Sequence, residues 1–235
     1  MTTPIPITDS GLLRLLAWLS PSFPVGAYAY SHGAEAGVES GRIFNRETAT
    51  DWISFVLEFG SGRADADLFV GAYLAAEQNA VDKFVEVSSM ADALKGTAEL
   101  GLESRAQGQA FLDAVQGAWP DQRLEQFCVA LKDAGVSPSY ATAVAAAAAF
   151  AGVGMQAALG AYLHGFGANI ASAIVRLAPL GQSDGQKIIA ALEPVVERAL
   201  ANALERDPGD IGSAAFMVDW MSMKHETQYS RLFRS

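Results

Sequence analysis

The sequence has little cysteine and little positive charge. Among its 235 residues are one cysteine, Cys128, and 16 Lys and Arg against 26 Asp and Glu. A single cysteine excludes an internal disulfide framework and is typical of a reducing compartment, so we expect a cytoplasmic protein. The formal net charge of -10 opposes the approach of phosphate groups. Nucleic acid and anionic membranes are therefore not expected as main partners.

Motifs that carry enzyme chemistry are also missing. No G-x-x-x-x-G-K-[ST] loop is present to cradle a nucleotide, and neither C-x-x-C nor H-E-x-x-H occurs. The three histidines, His32, His164 and His225, are scattered, and none belongs to an activated-nucleophile motif. The sequence predicts a protein that is not an enzyme, with no metal site and no tightly bound cofactor.

Apolar residues recur at intervals of three and four along nearly every segment, which is the helical period. One such stripe is Trp52, Phe55, Val56 and Phe59, after a candidate N-cap at Asn45 or Thr48. Sustained period-two alternation is absent. We therefore predict an all-α fold, a single compact bundle of roughly ten helices that forms one domain over residues 1–235. Further along the chain, the spacing of Ser183 and Gln186 predicts a capping box.

Residues 140–163, "YATAVAAAAAFAGVGMQAALGAYL", carry no charge and are long enough to span a bilayer. Alanine and glycine gain little free energy on transfer into hydrocarbon, and the ends of the segment lack the aromatic and basic residues that usually flank a membrane span. We interpret the segment as a central helical hairpin whose small residues let backbones approach closely. A membrane protein is the alternative.

Two segments lie outside the apolar stripes. Residues 20–41, "SPSFPVGAYAYSHGAEAGVESG", form a Pro/Gly-rich loop, suited either to recognition or to covering the core. The last twelve residues carry three basic side chains against one acidic side chain, at the end of an acidic chain. Continued helix there would place Met221, His225, Tyr229 and Leu232 on one face, with Phe233 beside it. So short a helix needs a surface to dock on, either the rest of this chain or a partner.

These segments together resemble the urease accessory protein UreF family. The resemblance rests on residues 20–41, on "ELGLESRAQGQAF" at 99–111, on "PLGQSDGQ" at 179–186 and on "DIGSAAFMVDWMSMKHETQYSRLFRS" at 210–235. These pieces follow one another in order along the whole chain. The last piece is the most specific, and the alanine-rich middle is not specific.

The resemblance implies a non-enzymatic, dimeric scaffold that helps deliver nickel to the urease apoprotein. Such proteins bind the accessory protein UreD, called UreH in some organisms, and recruit the GTPase UreG, whose GTP hydrolysis accompanies nickel insertion. Nickel is then cargo in transit, and no tight nickel site is expected in this chain. The tail 225–235 is expected to become ordered against UreD.

The resemblance also assigns candidate partner-binding residues. In the C-terminal motif, which is expected to contact UreD, they are His225, Glu226, Gln228, Tyr229, Arg231, Leu232, Phe233 and Arg234. In the N-terminal motif, which is expected to support the complex or the GTPase face, they are Tyr28, Tyr30, His32 and Glu35.

The chain departs from the family beside Glu99 and Leu100, where family members often carry arginines and this chain has Ala98 and Gly101. We assign no partner role to that segment. The alternative function is a small helical enzyme that uses His32 and Glu35 with Asp65 and Asp67 as acid and base. That alternative requires all four groups to meet in one cleft.

Overall fold

A computed structural model describes residues 9–235, and within that range the protein contains eleven α-helices and no strand. The all-α prediction and the expected number of helices are thereby confirmed. The helices are α1 (Asp9–Trp18), α2 (Ala34–Glu39), α3 (Arg46–Phe59), α4 (Ser61–Glu77), α5 (Val81–Ala93), α6 (Ala98–Ala118), α7 (Gln122–Asp133), α8 (Tyr140–Phe150), α9 (Met155–Leu177), α10 (Gln182–Glu205) and α11 (Phe216–His225). A short 3₁₀ turn, Ala27–Ala29, precedes α2.

The alanine-rich helix α8 lies at the centre of the bundle. All but two of its eleven residues are buried, and it packs mainly against α4 and α6. Alanine side chains let the neighbouring backbones come close, and Ala is also the best helix former. The closest approach is at Gly108 of α6, which lies directly against the backbone of Pro138 and Ser139.

The predicted hairpin is present. Helix α8 ends at Phe150, Gly152 adopts the left-handed conformation with φ 71°, and α9 returns along the bundle. Among the described residues, α9 is the one helix long and apolar enough to cross a membrane, but half of its most apolar window is buried inside the molecule. Such burial is typical of a core helix.

Aromatic side chains fill the space around this centre. Trp18 of α1 meets Phe111 of α6 edge to face, with ring centroids 5.9 Å apart. On the other side Phe127 of α7 contacts Phe84 and Phe150, at 4.8 Å and 5.1 Å between centroids. Edge-to-face and tilted pairs of this kind add to the free energy gained from burial.

Two local predictions for α3 and α10 had different outcomes. Asn45 caps α3, because its side chain accepts from the Thr48 N–H at 2.8 Å while the Thr48 hydroxyl accepts from the Asn45 N–H. The Ser183 and Gln186 capping box is wrong. Helix α10 begins one residue earlier than Ser183, and the Asp184 carboxylate accepts from the Gly181 N–H instead.

The stripe predicted on α3 is only half buried. Trp52 and Val56 are in the core, whereas Phe55 is 42% exposed and Phe59 is 47% exposed. The buried face is completed by Ile53 and Leu57, so it is rotated relative to the predicted stripe. Phe55 and Phe59 instead pack on one another at the surface, with centroids 5.2 Å apart.

We expect Gly108→Ala to destabilise the fold, because a Cβ there would lie 2.4 Å from the Pro138 carbonyl oxygen. The clash is with backbone, which cannot move aside cheaply, so the unfolding free energy should fall by about 1–3 kcal/mol. Chemical denaturation measures this loss. Gly117→Ala is the matched control in the same helix, with nothing within 4 Å of the new Cβ. It should be neutral or stabilising by up to about 1 kcal/mol, and equal effects of the two variants would contradict the packing described for α6.

Candidate functional site

The C-terminal tail, residues 226–235, does not continue α11. Helix α11 ends at His225, and the tail folds back over α2 and the start of α6 as turns and extended chain. The single apolar face expected of a continued helix is therefore wrong. His225 and Phe233 are buried, whereas Tyr229 is fully exposed and Leu232 is 66% exposed. The tail docks on its own chain. The Glu226, Thr227 and Gln228 N–H groups still donate to carbonyls of α11, whereas the Leu232 and Phe233 N–H groups donate to the side-chain carboxylate of Glu35.

Glu35 of α2 is the main anchor of the tail. Its two carboxylate oxygens accept hydrogen bonds from the Leu232 N–H at 2.7 Å and the Phe233 N–H at 2.9 Å. The same carboxylate faces Nε2 of His225 at 3.1 Å. Glu35 is only 6% exposed, so its charge depends on these three partners. A buried carboxylate is tolerated only when it is paired and hydrogen-bonded.

His225 joins two carboxylates from different helices. Nε2 faces Glu35, and Nδ1 lies 2.6 Å from Oε2 of Glu99 on α6. Both ring nitrogens therefore lie within hydrogen-bonding distance of a carboxylate. Arg231 of the tail donates to the other oxygen of Glu99 at 2.7 Å. The four side chains form one network that ties α2, α6 and the tail together.

Ser235 is held by a second group of polar residues. Its main-chain oxygen accepts from the Ser31 N–H at 2.9 Å and also from the Ser31 hydroxyl. Its side-chain hydroxyl donates to Glu103 at 2.7 Å and accepts from the His32 N–H at 3.3 Å. Ser235 is completely buried, and both its main-chain oxygen and its side-chain hydroxyl are held by hydrogen bonds.

Glu103 is a fully buried carboxylate whose pKa lies below its ordinary value. Burial would raise the pKa, but the His32 ring and the Ser235 hydroxyl outweigh it and hold the pKa low. Nδ1 of His32 lies 3.4 Å from Glu103, close enough for an ion pair but not aligned as a hydrogen bond. Nε2 of His32 is 2.5 Å from the Ser61 hydroxyl. The His32 ring thus connects the polar residues around Ser235 to α4.

The turn before α2 has the conformation that this network requires. His32 has a φ of 57° and Gly33 a φ of 77°, both in the left-handed region. A Cβ on Gly33 would lie 3.2 Å from the Ser222 nitrogen of α11. Glycine therefore serves two needs here, the left-handed turn and the close approach of α2 to α11.

Phe233 and Arg234 complete the attachment. The Phe233 ring is buried beneath the guanidinium of Arg176 on α9, which lies 4.4 Å from the ring centroid. The Arg234 N–H donates to the Ala29 carbonyl at 2.8 Å, while its side chain is exposed. A cation over an aromatic face is attractive and helps to close the site toward solvent.

The candidate partner-binding residues of the N-terminal motif are mostly buried. Tyr28 is 70% exposed, whereas Tyr30, His32 and Glu35 are each less than 7% exposed. In this conformation only Tyr28 is available for direct contact with another molecule. His32 and Glu35 act on the tail, so their contribution to any partner contact is to position it.

The remaining tail candidates lie at the surface. Glu226 accepts from the Ala98 N–H at 3.2 Å, and Gln228 donates to the Ser230 carbonyl at 3.1 Å. Tyr229 and Leu232 project into solvent beside them. The tail therefore divides into buried residues that hold it and exposed residues that it presents.

Three further residues of this site, Glu99, Glu103 and Ser31, were not predicted from the sequence. The two glutamates are spaced i, i+4 and so lie on one face of α6, a signal that was visible in the sequence. Both also lie within the segment 99–111 that carries the family resemblance. With Ala98 and Gly101 beside it, Glu99 faces the ring of His225 at the end of α11 and pairs with Arg231 of the tail.

The alternative of an acid–base enzyme fails on geometry. Asp65 is buried and pairs with Lys95 at 2.5 Å, and it also accepts from the Tyr162 hydroxyl at 3.0 Å. Asp67 pairs with Arg206, and Glu35 is occupied by the tail. The four groups therefore have separate partners and do not converge in one cleft. Among residues 10–235, whose side chains the structure describes, no group of three or more His, Cys, Asp or Glu is arranged to hold a metal ion.

The outer face of α11 is unusually apolar for a surface helix. Phe216 is 81% exposed and Trp220 is 53% exposed, and Met217 and Met223 lie on the same open side. The exposed tail residues Tyr229 and Leu232 follow directly in the chain. We call these six residues the C-terminal surface. Clustered exposed apolar side chains of this kind mark protein–protein contact sites.

The described residues therefore define an all-α protein with exposed apolar side chains at its C-terminal end. Comparison with known proteins gives the family. The UreF family model matches residues 43–193. Urease accessory protein UreF from Granulibacter bethesdensis is 44% identical over 97% of this chain and 95% of its own length. The UreF of Magnetococcus marinus is 45% identical over 97% of this chain and 99% of its own length.

The chain belongs to the UreF family. A further relative, the urease accessory protein UreF of Rhodopseudomonas palustris strain BisA53, is 43% identical over 96% of this chain. The resemblance found in the sequence motifs is thereby confirmed. These relatives are named as accessory proteins of urease.

We expect Glu35→Gln to release the tail without unfolding the bundle. The amide would turn its NH₂ group toward donors that now face a carboxylate, and breaking a buried charge network costs about 3–5 kcal/mol. Hydrogen exchange at the Leu232 and Phe233 amides should accelerate by more than tenfold. Glu39→Gln, at an exposed position on the same helix, is the control. Unchanged protection in the Glu35 variant would contradict its anchoring role.

Glu103 should make stability depend on pH in a defined direction. Its pKa is lowered on folding from an ordinary value of 4.5, so its contribution is present above that value and is lost as the pH falls through the lower folded value. The loss of unfolding free energy caused by Glu103→Gln should therefore be largest at neutral pH and shrink below pH 4.5. Denaturant titrations across this range measure it, with exposed Glu125→Gln as control. A constant difference at all pH values would contradict the assignment.

Proposed function

We propose that this protein is a non-enzymatic scaffold in urease maturation and that its C-terminal surface binds the accessory protein UreD, or UreH. The single observation that carries this proposal is the division of the C-terminal segment. Buried polar contacts fix its backbone, while large apolar side chains on α11 and the tail face solvent. Family membership supports the urease context.

Anchoring favours tight binding at such a surface. A free tail would lose conformational entropy on docking, whereas an ordered tail has already lost most of it. Trp and Tyr are also the residues that most often dominate the free energy of protein interfaces, and Trp220 and Tyr229 are both exposed here. The basic residues Arg231 and Arg234 of the tail are exposed as well and favour a partner with acidic groups at the rim of the interface.

The N-terminal motif supports this surface from beneath. Glu35 and His32 hold the tail, and Tyr28 remains available at the surface. We propose that their main role is to set the geometry of the tail and that Tyr28 contributes to the face that recruits the GTPase UreG. This role requires no catalytic group on the chain itself.

The remaining parts of the proposal follow from the family. The protein acts in the cytoplasm as a homodimer that bridges UreD and UreG, assembles on the urease apoprotein and couples GTP hydrolysis to nickel insertion. Nickel is cargo in this scheme and passes without a tight site. The chain's net charge of -10 makes it electrostatically attractive to a divalent cation and unsuited to nucleic acid.

We expect Trp220→Ala combined with Leu232→Ala to weaken UreD binding by at least about tenfold, the usual effect of removing central apolar contacts. Both side chains are more than half exposed, so the melting temperature should change little. Isothermal titration or quantitative pull-down with purified UreD measures the loss.

Leu13→Ala is the matched control, because Leu13 on α1 is also 66% exposed and lies outside the C-terminal surface. Equal binding by the double variant and the wild type would rule out this surface. Deletion of residues 225–235 is a less specific test, because it also removes the buried partners of Glu35 and Glu103.

A further inference from the structure

A cavity of about 310 Å³ lies on a different part of the molecule. It is formed by the second half of α4, by α5, and by the end of α10 with the loop that follows. None of its lining residues belongs to the tail network or to the C-terminal surface. It is therefore independent of the scaffold function proposed above.

The walls of this cavity are mainly apolar. They include Val70 and Leu74 of α4, Val87 and Met90 of α5, and Ile211 of the loop after α10. Leu74 is 38% exposed and Met90 is 40% exposed, so part of this apolar wall is left uncovered. Pockets that bind small molecules have this composition, with a few polar groups that orient the ligand.

The polar group in the wall is an incompletely satisfied ion pair. Asp67 and Arg206 line the cavity and pair with each other through Oδ1 and Nη1. Oδ2 of Asp67 is buried and accepts no hydrogen bond from the described residues. Burial raises the pKa of Asp67 above its usual range, although Arg206 and Arg63 oppose the shift. A hydrogen-bond donor is therefore the missing partner of this carboxylate.

The charges around the cavity favour a neutral ligand. Lys83 pairs with Glu86 at 2.9 Å, Asp67 pairs with Arg206, and Asp207 accepts from the Gly209 N–H at 2.7 Å. Each ionised group in the wall thus already has a partner. A guanidinium has five N–H donors, and Arg206 uses one of them on Asp67, which leaves donors for an acceptor nearby. A hydroxyl group can both donate to the carboxylate and accept from the guanidinium.

The volume limits the size of the ligand. An apolar cavity of about 150 Å³ holds one benzene molecule, so this cavity has room for roughly ten to twelve heavy atoms. We propose that the cavity binds a small, mostly apolar molecule with one hydroxyl group of the alcohol or phenol type. The hydroxyl donates to Oδ2 of Asp67 and accepts from Arg206, while the apolar part packs between α4 and α5.

The proposal is tested with 4-propylphenol and its methyl ether, 4-propylanisole, which keeps the acceptor oxygen but has no donor. Titration calorimetry on the full chain gives affinities, and methyl NMR of Val87, Met90 and Ile211 locates the ligand. The phenol should bind at least about tenfold more tightly than the ether, because the ether leaves the carboxylate without a donor.

Two variants test the site itself. Gly71→Met should fill the cavity and abolish binding, because a Cβ at Gly71 lies 3.4 Å from Val87, at ordinary contact distance, and replacing a helical glycine favours folding. Gly117→Met, a helical glycine with open space around it, is the control and should bind normally. Asp67→Asn should remove the preference for the phenol over the ether.

Equal affinity for the phenol and the ether in the wild type would overturn the proposal. So would failure of the phenol to bind at millimolar concentration, or normal binding by Gly71→Met. If Asp67→Asn is too unstable to study, the wild-type ratio of the two affinities and the Gly71→Met result still decide the question.

Discussion

The carboxylate of Glu35 is the constraint on which the functional surface depends. It is buried, and two backbone N–H groups of the tail and the ring of His225 are its partners. Without the tail this charge would lack compensation, and without the charge the tail backbone would lack acceptors. The Glu35 carboxylate and the tail backbone therefore stabilise each other, and the end of the chain takes one conformation instead of fraying.

The packing of the bundle makes this constraint effective. Helix α8, built largely of alanine, allows α4 and α6 to approach closely at the centre. The position of α6 fixes Glu99 and Glu103, which receive His225, Arg231 and Ser235. Because close-packed interiors shift little, the polar groups are held where the tail can meet them. The alanine-rich segment, which is the least specific to the family, thus supports the C-terminal motif, which is the most specific to it.

This arrangement separates two tasks that one short segment performs. Polar and charged atoms point inward and fix the backbone, while Tyr229 and Leu232 are exposed to solvent, as are the apolar side chains on the outer face of α11. A partner can then gain affinity from apolar contact without ordering the segment first. The cavity lined by Asp67 differs, because a buried ion pair in its wall still has a carboxylate oxygen that accepts no hydrogen bond from the described residues.

The sequence by itself determined the helical fold, the α8–α9 hairpin and the family, and it named Asn45 as one of two candidate caps of α3, because these depend on local periodicity, turn residues and short motifs. It also singled out most tail-site residues, yet it placed Tyr229 and Leu232 on one apolar face with His225. Only the tertiary structure decided that His225 and Phe233 turn inward, because Glu35 of α2 and Glu99 of α6 face the His225 ring and Glu35 accepts from the Phe233 N–H. Partners that lie about 130 to 200 residues apart in the chain leave no periodic signal.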